Sequence, residues 1–161
     1  MSKDSTLCFL IREKPPNGSQ VLLGFKKVGF GAGKYTGFGG KVEAGETIPT
    51  AAARELEEET SVKVLEENLQ PVGRLTFLFP ARPAWSQKVH VFLSTTWQGE
   101  PAESVEMKPA WFAVDALPFE RMWQDAAFWL PRILAGERID ARFTFEQDNE
   151  TIEQWEVNVH V

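Results

Sequence analysis

The sequence predicts an α+β fold. Three observations carry the prediction. Several short apolar runs bounded by Gly, Pro and Asn read as strands. One Glu-rich stretch from Pro49 reads as an amphipathic helix, and a second helical stretch starts near Asp125. Strands and helices come in mixed order rather than strict alternation, which argues against a purely parallel sheet. At 161 residues, a single domain over residues 1–161 is expected.

The elements follow in chain order. Thr6 to Ile11 (TLCFLI) reads as a buried strand and Val21 to Phe25 (VLLGF) as a second. The turn material of Glu13 to Gln20, with two prolines and Asn17-Gly18, joins them as a hairpin. Lys26 to Lys41 holds six glycines and four lysines and leads into the Glu-rich helix. Thr47 is the expected N-cap of that helix, Pro49 suits its first turn, and Ser61 with Val62 and Val64 marks its end. Leu65 to Leu69 reads as a polar connection. Val72 to Phe79 and Lys88 to Trp97 read as strands around the loop PARPAWSQ. Pro109 to Val114 is a further strand. Asp125 to Ala135 reads as a helix broken at Pro131 and capped by Gly136. The alternating runs at Arg142 to Phe145 and Trp155 to Val159 form a closing hairpin around Gln147 to Glu150.

A formal charge of −6 argues against a general binder of nucleic acid or anionic membranes. It does not exclude a small phosphorylated substrate, because a metal inverts the local charge. Cys8 is the only cysteine, so no intramolecular disulfide forms, and its apolar neighbours place it in the core. The polar start MSKDST carries no signal-peptide pattern, and no apolar run is long enough to span a bilayer. A cytoplasmic monomer is expected.

The segment Gly40 to Val62 carries the chemistry. Six carboxylates fall between Glu43 and Glu59, against Arg54 alone. At about 100° per residue, Ile48, Ala52, Leu56 and Thr60 form one helix face with Ala53 beside it, fit to pack on a sheet. Glu55, Glu58 and Glu59 gather along its edge and Glu57 points away. Like charges at this spacing cost roughly 0.2–0.5 kcal/mol per pair. Arg54 can pair with Glu58 at i, i+4, which leaves two acids without a cation. Mg²⁺ or Mn²⁺ suits such a cluster, since hard cations prefer carboxylate oxygens and bring substrate phosphates with them. Taken alone, a Glu run is a solvated helix face.

The wider spacing adds to this. Gly40, five residues, Glu46, seven residues, then Arg54-Glu55-Leu56-x-Glu58-Glu59 resembles the signature of the Nudix hydrolases, with Ser61 where that family has Gly. The resemblance implies an α/β/α sandwich around a mixed, curled sheet. The segments LLGFKK, GFGAGKYTGFGGKVEAGE, VHVF, EMKPAWF and LPFERMW extend it to the oxidised-purine nucleoside triphosphatases of the family, the MutT homologues. The implied activity is Mg²⁺-dependent hydrolysis of oxidised purine nucleoside triphosphates, of the 8-oxo-dGTP and 2-hydroxy-dATP type, to monophosphate and pyrophosphate, which keeps damaged precursors out of DNA. Glu55, Glu58 and Glu59 match the metal-binding glutamates, Glu106 an additional acid near the metals, and Gly39 a carbonyl that binds metal. Lys26 matches a substrate lysine, with Phe38, Gly40 and Lys41 around Gly39. Thr6 matches a strand residue near the purine, Phe30 an aromatic of the base pocket, Trp123 the ring that stacks on the base, and Asp125 the acid that reads its edge. Arg54 is expected to orient the glutamates.

Two positions depart from the pattern: Thr36 stands where that group has Asn, and Ala126 where it has a second Asp. The departures bear on base preference. The residues leave open which of Glu55, Glu59 and Glu106 is the base. They also leave open attack at the α- or β-phosphorus, a different nucleoside diphosphate derivative as substrate, and a non-catalytic nucleotide sensor. Asp125 also fits a helix N-cap, and Trp111, Phe112, Phe128 and Trp129 read as core.

Overall fold

A computed structural model describes residues 3–13 and 18–160. The two prolines and Asn17 of the expected first turn lie outside the described residues. The described residues form eight strands and two α-helices: β1 (Lys3–Glu13), β2 (Ser19–Lys26), β3 (Tyr35–Thr36), α1 (Ile48–Thr60), β4 (Gln70–Leu78), β5 (Gln87–Ser94), β6 (Met107–Ala113), α2 (Ala126–Leu134), β7 (Arg138–Phe145) and β8 (Ile152–His160). The strands run β3-β2-β1-β5-β4-β7-β8, and β6 pairs with β2 off this path. The β1–β5 and β4–β7 pairs are parallel and the others antiparallel, so the sheet is mixed.

The sheet splits the core into two layers, because successive side chains point to opposite faces. On β1, Phe9 joins the cluster that holds Trp129, Leu130 and Ile133 of α2. Its neighbours Cys8 and Leu10 join the cluster that holds Ala52 and Leu56 of α1. One helix therefore lies on each face, giving an α/β/α sandwich. Burial holds the Cys8 thiol as a neutral core group and pushes its pKa up to about 12.

Helix α1 begins as its sequence requires. Thr47 is extended (φ −79°, ψ 162°), and its hydroxyl accepts from the Thr50 N–H. It ends at Ser61, which sits in the left-handed region (φ 69°) and donates its N–H to the Glu57 carbonyl at 2.8 Å. A Cβ is unfavourable there by about 1–2 kcal/mol. Ser61→Gly should therefore raise stability by about 1 kcal/mol, readable as an increase in Tm of roughly 2–4 °C. An unchanged Tm would mean that the loop absorbs the strain.

One expectation fails in α2, which is not broken at Pro131 but continues to Leu134. Pro131 removes the N–H that would reach the Ala127 carbonyl and crowds that carbonyl with its ring. Ala127 and Pro131 are both exposed, so water can satisfy that carbonyl, while Trp129, Leu130 and Ile133 stay buried and hold the helix in place. The stop is Gly136 (φ +97°): its N–H reaches the Ile133 carbonyl, and the Glu137 N–H reaches that of Arg132. This is the paired bond pattern of a glycine-terminated helix.

Candidate active site

Residues 38–42 run beside the first half of β1. Cys8 and Phe38 exchange backbone bonds, the Thr6 N–H reaches the Gly40 carbonyl at 2.8 Å, and the Val42 N–H reaches that of Asp4. Gly39 and Gly40 are required by close approach. A Cβ on Gly39 would lie 1.7 Å from the Thr6 carbonyl oxygen, and one on Gly40 would lie 2.6 Å from the Glu55 carboxyl. This strip passes beside the α1 edge, where the Gly39 N–H holds Glu59 in the wall of a cavity that Glu55, Glu58 and Glu106 do not line. Gly40→Ala displaces the Glu55 carboxylate while leaving the backbone free to keep its path. Activity should fall at least about tenfold with Tm changed by only a few degrees. An active Gly40→Ala variant would show that the position of Glu55 is not critical.

Arg54 is the hub of the acidic edge. Its Nε and Nη2 bind both oxygens of Glu46 at 2.7 and 3.0 Å, and Nη2 also donates to the Lys41 carbonyl at 3.1 Å. Nη1 reaches Glu55 at 3.0 Å and Glu58 at 3.2 Å. Sequence spacing identified only the Glu58 contact; Glu55 is held as well, and Glu46 is the principal partner. The Arg54 hydrogen bonds hold the Glu46 carboxyl well below the usual range, at about 2. Arg54 is correspondingly pushed up, chiefly by Glu46.

Glu59 has no such cation. It is 4% exposed and accepts the Gly39 N–H at 2.9 Å. Burial pushes its pKa up to about 7, with Glu55 and Glu106 repelling it and Lys26 and the Gly39 N–H opposing the rise. Burial also raises Glu55, reinforced by Glu58 and Glu106. These acids face a shared space with too little positive charge. Among the described residues, no three acidic, histidine or cysteine side chains are grouped closely enough to ligate one ion. Arg54 holds Glu55 and Glu58, and Gly39 holds Glu59. Glu106 is half-exposed, 3.7 Å from Lys26. The donor set is all oxygen and electrostatically under-compensated, which fits a hard divalent cation.

Beside the glutamates opens a cavity of about 300 Å³. Its wall includes Thr6, Lys26, Phe30, Thr36, Gly39, Gly40, Lys41, Glu59, Trp123 and Asp125. Residues separated by the whole chain thus meet in one concavity. Phe38 does not reach it. It faces Cys8, so its side chain follows Cys8 to the opposite side and is fully buried in the α1 layer.

Phe30 and Trp123 do not flank an open slot either. Their rings stack on each other with centroids 5.3 Å apart at 25°. A base between two rings needs about 7 Å, twice the contact distance of carbon atoms. Phe30 is wedged edge-on against Trp85 at 4.6 Å and packs on Phe79. A base could stack on Trp123 only at its other face or after a movement of Phe30.

Asp125 stands at the N-terminus of α2 but makes no side-chain cap. Its Oδ2 instead accepts the Trp129 indole N–H at 2.7 Å, with both residues buried. Burial pushes the Asp125 pKa up to about 6, against the Trp129 hydrogen bond. Trp129, read from sequence as core, is both core and cavity wall, and it fixes Asp125. Only its i, i+4 spacing from Asp125 could have signalled this. Ala126 lines the cavity next to Asp125, so Asp125 is the only carboxyl α2 offers there.

A NUDIX domain model matches residues 1–133. The chain is 46% identical over 134 residues to an oxidized purine nucleoside triphosphate hydrolase of Danio rerio, covering 83% of this chain and 84% of that protein. It is 45% identical over 133 residues to the protein of the same name from Mus musculus, covering 83% of each. In fold it resembles the crystal structure of a MutT protein from Bacillus halodurans, with a TM-score of 0.78, 23% identity and 97% of each chain covered.

Proposed function

The chain belongs to the Nudix family, and we propose that it hydrolyses oxidised purine nucleoside triphosphates to the monophosphate and pyrophosphate, keeping damaged precursors out of DNA. Substrates of the 8-oxo-dGTP and 2-hydroxy-dATP type fit this reading. The observation that carries it is the joining of two features in one cavity: the buried Asp125 with the Trp123 ring, and Glu59 from the acidic helix edge. The names of the two relatives point to the same substrate class.

Glu55, Glu58 and Glu59, with the Gly39 carbonyl and Glu106, would hold Mg²⁺ or Mn²⁺. When bound, such ions neutralise phosphate charge and lower the pKa of a coordinated water. The remaining work falls to the chain. Lys26 and Lys41, both in the cavity wall, offset phosphate charge. Arg54 keeps Glu55 and Glu58 in place from below, itself clamped by Glu46. Glu55, Glu59 and Glu106 are the acids placed to take the proton of the attacking water. Trp123 stacks on the purine, while Asp125 and Thr36 meet its polar edge. The methyl of Ala126 replaces a second acid there, which favours one protonation pattern of the base over several. No described helix is long and apolar enough to cross a membrane, and a cytoplasmic site of action is our reading.

The test is pyrophosphate release with Mg²⁺ across 8-oxo-dGTP, 2-hydroxy-dATP, dGTP, dATP and a nucleotide sugar. An oxidised purine triphosphate should show the highest kcat/KM. If undamaged or sugar-linked nucleotides lead, the substrate reading of Trp123 and Asp125 is wrong.

A further inference from the structure

Strand β8 forms one edge of the sheet, paired with β7 on one side only. Its sequence, IEQWEVNVH, contains neither Lys nor Pro, the residues that commonly blunt an exposed edge. Trp155, Val157 and Val159 stand opposite Phe143, Ala141 and Ile139, so they share the α2 face of the sheet. Trp155 is 55% and Val159 46% exposed, even though Trp155 touches Phe128 with ring centroids 4.8 Å apart. Six large hydrophobic side chains are exposed in the described chain, and two of them lie on this one edge strand.

We propose that β8 is a homodimer interface, in which it pairs antiparallel with β8 of a second copy about a two-fold axis through Val157. This departs from the monomer expected from sequence. The occupant follows from the strand being its own complement. With Val157 on the axis, Trp155 faces Val159 of the second copy, and Val157 faces its own counterpart. On the other face, Glu156 meets Asn158 and Gln154 meets His160. Between Gln154 and His160 each apolar side chain meets an apolar one, each polar side chain a polar one, and no like charges oppose. A shift of the axis to Glu156 would set Glu156 against itself and Glu153 against Val159. That two-residue change of register is thus penalised by the like charges it brings together at the axis. Pairing on this edge would continue the sheet through both copies and cover the free N–H and C=O groups of β8. No β8 residue lines the catalytic cavity, so the interface leaves substrate access unchanged.

The test is the molar mass of the purified full chain by sedimentation equilibrium from low to high micromolar concentration, with three variants. The unmodified chain should reach the mass of a dimer. Val159→Lys should raise the dimer dissociation constant at least about tenfold, because it buries an ammonium opposite Trp155. Pyrophosphate release by that variant should be retained. Under mild oxidation Val157→Cys should cross-link to itself across the axis, and Glu156→Cys should not; the native Cys8 is fully buried and takes no part. A chain that stays monomeric at high micromolar concentration overturns the proposal. So does a dimer indifferent to Val159→Lys, or one that cross-links equally through Glu156→Cys.

Discussion

Glu59→Gln is expected to lose about a hundredfold or more of turnover while the protein stays folded. The two outcomes separate because Glu59 has opposite effects on chemistry and on stability. It is buried at 4% exposure, and without a cation its carboxylate is an unfavourable passenger, with a pKa pushed up to about 7. A carboxyl whose folded pKa is raised binds its proton more tightly in the folded than in the unfolded chain. Stability therefore falls as pH rises from the ordinary value of 4.5 through about 7. Glutamine keeps an oxygen for the Gly39 N–H and removes the charge. In metal-free buffer at pH 8, the variant should melt no lower than the parent and be more stable by up to a few kcal/mol. Turnover has no such substitute. A neutral amide is a weak ligand for a hard cation and cannot take a proton from water. Addition of Mg²⁺ should raise the Tm of the parent and leave that of the variant nearly unchanged. Near-normal kcat, or equal Mg²⁺ stabilisation of both proteins, would remove Glu59 from the metal site.

The sequence made the acidic helix legible because its signals are local. Thr47 caps it, Ser61 ends it, and 3.6-residue periodicity assigns Leu56 inward and Glu57 outward. The α+β class was legible for the same reason, from strand-length apolar runs and two helical patterns. What was not legible depends on pairing between distant segments. β1 runs parallel to β5, so Thr6 lies opposite His90, and no local pattern announces that. The reversal of Phe38 comes from its pairing with Cys8 across 30 residues of chain. It sits among residues that line the cavity, yet alternation turns its ring to the other layer. The aromatic contacts that close Phe30 onto Trp123 arise because the loop at Trp85 and strand β7 bring further rings to the same place. Glu46 was visible as a spaced acid, but its two-oxygen clamp on Arg54 depends on how the loop before α1 folds back. Pro131 misled because its local penalty is outweighed by the burial of Trp129, Leu130 and Ile133, with Ala127 open to water.

Asp125→Asn is expected to weaken catalysis and strengthen the fold, with a pH signature that identifies the residue. Asp125 is 3% exposed, and its single observed partner is the Trp129 indole N–H at 2.7 Å. One hydrogen bond does not offset removal of a carboxylate from water, and burial pushes the pKa from the ordinary 3.8 to about 6. The sign follows as for Glu59: the folded chain holds the proton more tightly, so stability falls as pH rises between about 4 and 6. Above that window the ionised group costs on the order of 2–3 kcal/mol. Asparagine retains an acceptor for Trp129 and cannot ionise. The Tm difference between variant and parent should be near zero at pH 4 and grow to roughly 5 °C by pH 7, then stay level. Function moves the other way. An amide presents one acceptor and one donor group where the acid presents two oxygens, so one edge contact to the purine is lost or reversed. With Ala126 beside it, α2 has no second carboxyl to take over. An unpaired buried polar group costs about 1–3 kcal/mol, which corresponds to a fall in kcat/KM of about 10- to 100-fold, carried mostly by KM. Paired measurements of Tm against pH and of kcat/KM on the preferred purine decide the matter. A variant that loses activity without the pH-dependent gain in stability would mean that Asp125 is already protonated or hydrated at neutral pH. One that gains stability and keeps full activity would mean that the base is read elsewhere in the cavity, with Thr36 the remaining polar side chain proposed for that edge.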